Sequence, residues 1–171
     1  MLVEREQYDF YFNNYERSAW RFETQPTYTM PREQPGLARF LAGQPMLPNH
    51  NEKWHGQVQS MVAAGKTIAR VRTVRRPLTD YQRYQFTYGI PGNIKAGEDV
   101  RVLDLTELDL DLPTQDFWLF DETTIVQLNF RPDGTLMNRE KPDDSKLEQY
   151  LAWRDTALKH SVSFSEWNAG T

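Results

Sequence analysis

Apolar positions recur along this chain at two spacings, one helical and one extended. Tyr8, Phe12, Tyr15 and Ala19 follow the i, i+4, i+7, i+11 order of a buried stripe, which predicts a helix over residues 5–20. RFETQPTYTM (21–30) reads as extended, with Thr, aromatics and a Pro that suits an edge. The segment 31–43 starts at a Pro and stops at Gly43, which predicts a short helix. Residues 44–51 read as a loop, and 52–64 as a second helix with Gly65 as its cap. TIARVRTV (67–74) is a strand by its β-branched content, ended by Pro77. Thr79 or Asp80 caps a helix running to about residue 88, GIPGNIKAG (89–97) is a turn-rich loop, and DVRVLDL (99–105) is a strand. ELDLDLP alternates acid and Leu as an amphipathic edge strand does. FWLFD (117–121) and TIVQLNF (124–130) read as two strands joined by a tight acidic turn, and RPDG (131–134) is a β-turn. A last helix is predicted over 145–160, with Leu147, Tyr150, Leu151, Ala157 and Leu158 as its apolar face.

Strands and helices in mixed order predict an α+β (or α/β) fold, a single domain with a central mixed sheet of four to five strands flanked by helices. Residues 1–162 are expected to form the globular body and 163–171 a partly ordered C-terminal tail. A chain of 171 residues with 39% hydrophobic and 26% charged positions sustains its own core. The absence of cysteine excludes disulfides, thiolate metal sites and a Cys nucleophile. It fits a reducing compartment. The first residues, MLVEREQYDFYFNNYER, do not read as a signal peptide, and no run of 18 apolar residues occurs. A cytoplasmic protein that does not enter a membrane is therefore expected.

Charge changes the picture more than composition does. Lys66 to Arg101 holds eight basic and three acidic residues, whereas Val102 to Phe130 holds seven acids and no Lys or Arg. The net charge of −4 hides these two poles, and with a pI of about 5.4 it argues against direct nucleic-acid binding. Arg70 and Arg72 share one face of their strand by alternation. Arginine captures phosphate or carboxylate in bidentate fashion. Arg70, Arg72 and Arg83, with Tyr81 and Glu98, are thus candidate ligand-binding residues. Asp116 and Asp121, at the two tips of an apolar strand, join them as carboxylates that serve either chemistry or turn capping. The same arginines also fit a plainer role, pairing with the acidic half inside the domain.

The common catalytic signatures are missing. The three histidines (50, 55, 160) form neither H-E-x-x-H nor H-x-K, and no nucleophile elbow, Walker loop or G-x-G-x-x-G occurs. No catalytic residue, metal ligand or cofactor is assigned. Four blocks, RFETQPTY, RVRTVRRPLTDYQRYQF, NIKAGEDVRVLDL and DFWLFD, resemble in order and spacing an actinobacterial family with no established reaction, whose members are often encoded beside helix-turn-helix regulators. More distantly the chain is similar to sensor versions of the phospholipase D fold. Without H-x-K, the resemblance implies that fold and not phosphodiester hydrolysis. The positions it singles out are Arg70, Arg72, Pro77, Tyr81, Arg83, Gly97, Glu98, Asp99, Asp116, Phe117, Trp118 and Asp121. Arg76 stands where many relatives are expected to carry an acid. The resemblance and the charge pattern together imply an accessory or regulatory domain that binds a small anionic ligand or a partner protein, the partner being a helix-turn-helix regulator or another protein. The alternative is an enzyme of bacterial specialised metabolism with a metal-free Arg/Tyr/Asp/Glu pocket. Whether copies of the chain associate stays open.

Overall fold

The computed structural model describes residues 1–170. Among these residues seven strands form one mixed sheet: β1 (Ser18–Glu23), β2 (Thr67–Val74), β3 (Asp99–Asp104), β4 (Asp116–Phe120), β5 (Thr124–Phe130), β6 (Leu136–Glu140) and β7 (Val162–Ser163). Their order is β6-β5-β4-β1-β2-β3-β7. β1, β2 and β3 run parallel, and the other neighbours pair antiparallel. The helices are α1 (Arg5–Asn14), α2 (Gln34–Leu41), α3 (Glu52–Ala63), α4 (Asp80–Tyr84), α5 (Ile90–Ala96), α6 (Leu147–His160) and α7 (Phe164–Ala169).

Alternation along the strands gives the sheet two chemically different faces. On one, Phe22, Val71, Leu103, Phe117, Leu119 and Ile125 pack under α6, whose Tyr150 and Ala157 are buried against them. On the other, Ala19, Ile68, Trp118, Phe120 and Val126 meet Phe12 of α1 and Trp54 and Met61 of α3. That second face is apolar only in part. Arg21, Glu23, Arg70, Arg72 and Asp116 lie on it near the C-terminal ends of β1 and β2, and α4 and α5 cover this region between β2 and β3. Thr79 caps α4 through a reciprocal capping box with Gln82. Helix α4 continues as a wide turn over Gln85–Gly89 before α5.

The structure corrects several expectations. The sheet has seven strands rather than four to five, because β6 follows the Arg131–Gly134 turn and β7 follows α6. The first helix ends at Asn14, and the expected stripe runs on into β1, where Ala19 packs from a strand. Residues 89–97 hold helix α5, which Pro91 starts in its first turn. The acid–Leu stretch is not an edge strand. It crosses the sheet end irregularly, with Leu110 and Leu112 packed on the α6 side. The expected tail begins at the end of β7 and carries α7, with Phe164 buried and Trp167 edge-on to Phe86 at 5.1 Å. Thr171 lies outside the described residues.

Trp118 anchors the sheet centre: it is 2% exposed, meets Phe12 at 4.9 Å and Phe120 at 5.8 Å, and lies 5.6 Å from the Arg21 guanidinium. Trp118→Ala is expected to lower unfolding free energy by about 3–5 kcal/mol. Urea titration checks this; a loss below about 1 kcal/mol would place β4 outside the core.

Candidate functional site

The register of β1 on β2 sets Arg21 beside Arg70 and Glu23 beside Arg72. All four side chains leave the same face. Glu23 is 3% exposed and lies among cations: Arg70 Nη1 donates to it at 2.9 Å, Arg72 Nε lies 3.3 Å away, and Arg21 Nη2 lies 4.0 Å away. Gln85, at the end of α4, ties this pair to the helix layer. Its amide donates to Glu23 at 2.5 Å, and its oxygen accepts from Arg72 Nε at 2.9 Å.

Two further carboxylates close the cluster. Glu98 accepts from Arg70 Nε at 2.5 Å and from Trp54 Nε1 at 3.2 Å. It is placed by Gly97, whose φ of 119° is a left-handed conformation and whose Cβ, if present, would meet Val62 at 2.9 Å. Asp116 is fully buried and accepts from Arg21 Nη2 at 2.9 Å, Tyr28 Oη at 2.6 Å, Thr24 N at 2.8 Å and Thr24 Oγ1 at 2.7 Å. Tyr28 comes from the 24–30 loop, and its ring lies 5.3 Å from the Arg72 guanidinium and 5.9 Å from that of Arg21. The loop is pinned at its far side, where Thr29 N donates to the Gly134 carbonyl at 2.9 Å. Tyr81 approaches from α4, edge-on to Tyr28 at 5.5 Å, and its phenol donates to Glu33.

The electrostatics follow from burial opposed by pairing. Burial pushes the Glu23 carboxyl up, but Arg70, Arg72 and Arg21 with the Gln85 amide outweigh it and hold the pKa at about 2. Burial works against the charge of Arg70, and Glu98 and Glu23 more than restore it. Burial, then the nearby Asp116, raises the Tyr28 phenol; burial, then Glu33, raises that of Tyr81. Both phenols are therefore donors at neutral pH.

Of the residues singled out from sequence, the structure brings Arg70, Arg72, Glu98, Tyr81 and Asp116 into this one region. Arg83 and Asp121 lie elsewhere. Arg83 is exposed and pairs with Asp80 of its own helix. Asp121 sits at the opposite sheet end, accepting from the amides of Glu16 at 2.8 Å, Arg17 at 2.7 Å and Ser18 at 2.9 Å. Sequence reading missed Arg21, Glu23, Tyr28, Glu33, Gln85 and Trp54. The signal for two of them was present: in RFE, two opposite charges flank a Phe on an apolar strand and so share one face. The histidines stay apart from the cluster. His50 Nε2 lies 3.5 Å from Tyr84 Oη, His55 Nε2 lies 3.1 Å from Asn93 Oδ1, and His160 ends α6 across the sheet. Among the described residues no group of acidic or His side chains is arranged to hold a metal ion. No helix among them is long and apolar enough to cross a membrane.

This is a mixed-sheet domain with a charged cluster on one sheet face, drawn from the last residues of β1, the middle of β2 and the residues that open β3 and β4. The chain belongs to a family described as a domain of unknown function, DUF6879, whose sequence profile matches residues 6–169. Among solved structures it is similar in fold to a phospholipase D family member, Nuc from Salmonella typhimurium, with a TM-score of 0.51, 10% identity, and coverage of 92% of this chain and 90% of that one. No curated protein sequence matches it.

The held-down carboxyl of Glu23 makes the cluster acid-sensitive. A lowered folded-state pKa contributes stability above the ordinary value of 4.5, lost as pH falls toward 2. The loss expected from Glu23 is about 3 kcal/mol. Glu23→Gln should be less stable than wild type at neutral pH, and the gap should close on acidification through this window. Urea midpoints across the range check it; a gap that stays constant would show that Glu23 is not held by the guanidiniums.

Proposed function

We propose that this domain is regulatory rather than catalytic: it binds a small anionic ligand at the C-terminal ends of β1 and β2 and passes the bound state to a partner protein. Arg72 carries the reading. It is fully buried within the charged cluster, and its Nη2 has no hydrogen-bond partner among the described residues. Arg21 Nε, in the same cluster, is likewise unpartnered among them. Guanidinium donors left over in a closed polar site are ready for the oxygens of a carboxylate or phosphate.

The regulatory reading ranks ahead of an enzymatic one because of how the acids are spent. Glu23, Glu98 and Asp116 each accept hydrogen bonds from an arginine and at least one other donor. A carboxyl held near a pKa of about 2, as Glu23 is, makes a poor general acid or base at neutral pH. The likeness to the phospholipase D family member is one of fold, and no histidine reaches the cluster to act as a nucleophile. The partner we propose is a DNA-binding regulator of the helix-turn-helix class, in the cytoplasm; it rests on the family resemblance of the four sequence blocks.

A thermal-shift screen of carboxylated and phosphorylated metabolites on wild type and on Arg70→Gln tests the reading. We expect at least one compound to raise the wild-type Tm by about 2 °C or more and to leave the variant unmoved. A screen that moves the wild type with no compound would contradict it.

A further inference from the structure

Residues 31–51 lie against α4 as a separate cover. The segment opens with the turn Pro31–Glu33, continues as α2 and returns through an exposed loop to α3. No residue of α2 is buried. What holds the cover is a row of phenols together with its own partly buried Leu37 and Phe40, which pack into the same tyrosine cluster. Tyr81, Tyr84 and Tyr88 stand at i, i+3 and i+7, hence on one side of the α4 segment. Tyr81 donates to the Glu33 carboxylate and Tyr88 to the Gln44 carbonyl, while Tyr84 Oη lies 3.5 Å from His50 Nε2. Asn51, at the return to α3, takes a left-handed φ of 60°.

One of these contacts differs in kind from the others. Glu33 is a carboxylate brought to the polar cluster by a segment with little else buried there. Its partner Tyr81 is 5% exposed and touches Tyr28, the ring that lies beside Arg72 and Arg21. Arg70 and Glu23 lie within electrostatic range of Glu33. We propose that Glu33 is an internal plug, filling the carboxylate position of a binding site that a small monocarboxylate takes when the cover withdraws. This rests on the ligand-binding reading above and names the class of ligand.

Three observations carry it. The phenol of Tyr81 is a donor, so what it recognises is an acceptor, and the group now there is a carboxylate. Charge sets the limit on the replacement. Arg21, Arg70 and Arg72 already face Glu23, Glu98 and Asp116, so exchange of one carboxylate for another leaves the balance unchanged. A phosphate dianion would add a buried charge with no counterpart. Finally, Glu33 is lightly held: Tyr81 is its hydrogen-bond donor, and the helix α2 that follows it has no buried residue. Withdrawing Glu33 in the wild type also breaks the cover's other contacts, at Tyr84, Tyr88 and the packed Leu37 and Phe40, so bare acetate does not displace it. A natural ligand does so through contacts made by the rest of its structure.

The test is chemical rescue at about pH 8, where inorganic phosphate is mostly the dianion. Tm is measured for wild type, Glu33→Ala and the double variant Glu33→Ala/Tyr81→Phe in about 0.2 M sodium acetate, chloride or phosphate at equal ionic strength. Acetate should raise the Tm of Glu33→Ala by about 3 °C over chloride, relative to the same comparison in wild type. Phosphate should not, and the double variant should lose the effect. Equal Tm values for Glu33→Ala in acetate and chloride overturn the proposal, and equal rescue by phosphate overturns the monocarboxylate assignment. If Glu33→Ala is unfolded in chloride, folding in acetate is the rescue, and failure in both salts counts against the plug. The two readings separate cleanly. A metabolite that stabilises wild type and Tyr81→Phe alike upholds ligand binding and overturns the plug. Acetate rescue with no metabolite active on wild type upholds the carboxylate site and overturns the metabolite reading.

Discussion

Everything near the centre of this molecule is arranged around one buried carboxylate. Glu23 is buried on a sheet face that is partly apolar, and an isolated ionised carboxylate there would be costly. It is tolerated because Arg70 and Arg72 come from the adjacent strand and Arg21 from its own. That requirement fixes the β1–β2 register. A one-residue slip would turn Arg70 and Arg72 onto the face where Phe22, Val71 and Leu103 pack. It also fixes the helix layer, since Gln85 bridges Glu23 and Arg72 from the end of α4. Through Arg70 and Glu98 it reaches the start of β3 and Trp54 of α3.

The same network defines what the site is suited to. Glu23, held down by its arginines, keeps its geometry and exchanges protons poorly at neutral pH. What remains unspent is donor capacity on Arg72 and Arg21, while the Glu33 carboxylate of the 31–51 cover accepts from Tyr81. That composition supports the recognition role we propose. The fold is similar to that of a phospholipase D family member, and a likeness of fold alone carries no function across.

The sequence made part of this legible. The strand 67–74, the buried strand around Trp118 and the helix after Thr79 were readable, because β-branched runs, an all-apolar stretch and a capping residue are local signals. So was the shared face of Arg70 and Arg72. The two short strands β6 and β7 carry no apolar alternation long enough to register, and only pairing with β5 and β3 makes them strands. For the site, basic residues drew attention because they cluster in sequence, whereas their partners are scattered. Glu23 lies 47 positions from Arg70, and Tyr28 lies 88 from Asp116. Arg83 shows the reverse: its nearest acid is on its own helix turn, and proximity in sequence was the whole of its interaction. Long-range pairing of charges is a property of topology, so a charge count found one half of the cluster and missed the other.

The central claim is that Glu23 and Arg72 stabilise the fold as a coupled pair. A double-mutant cycle on Glu23→Gln and Arg72→Met, read by urea unfolding, measures it directly. Each single change is expected to cost about 3–5 kcal/mol, because each strands a buried partner. The double variant should cost less than the sum of the two by about 2 kcal/mol or more. Additive losses would show that the two side chains are buried side by side without depending on one another, and the account built on their pairing would fail.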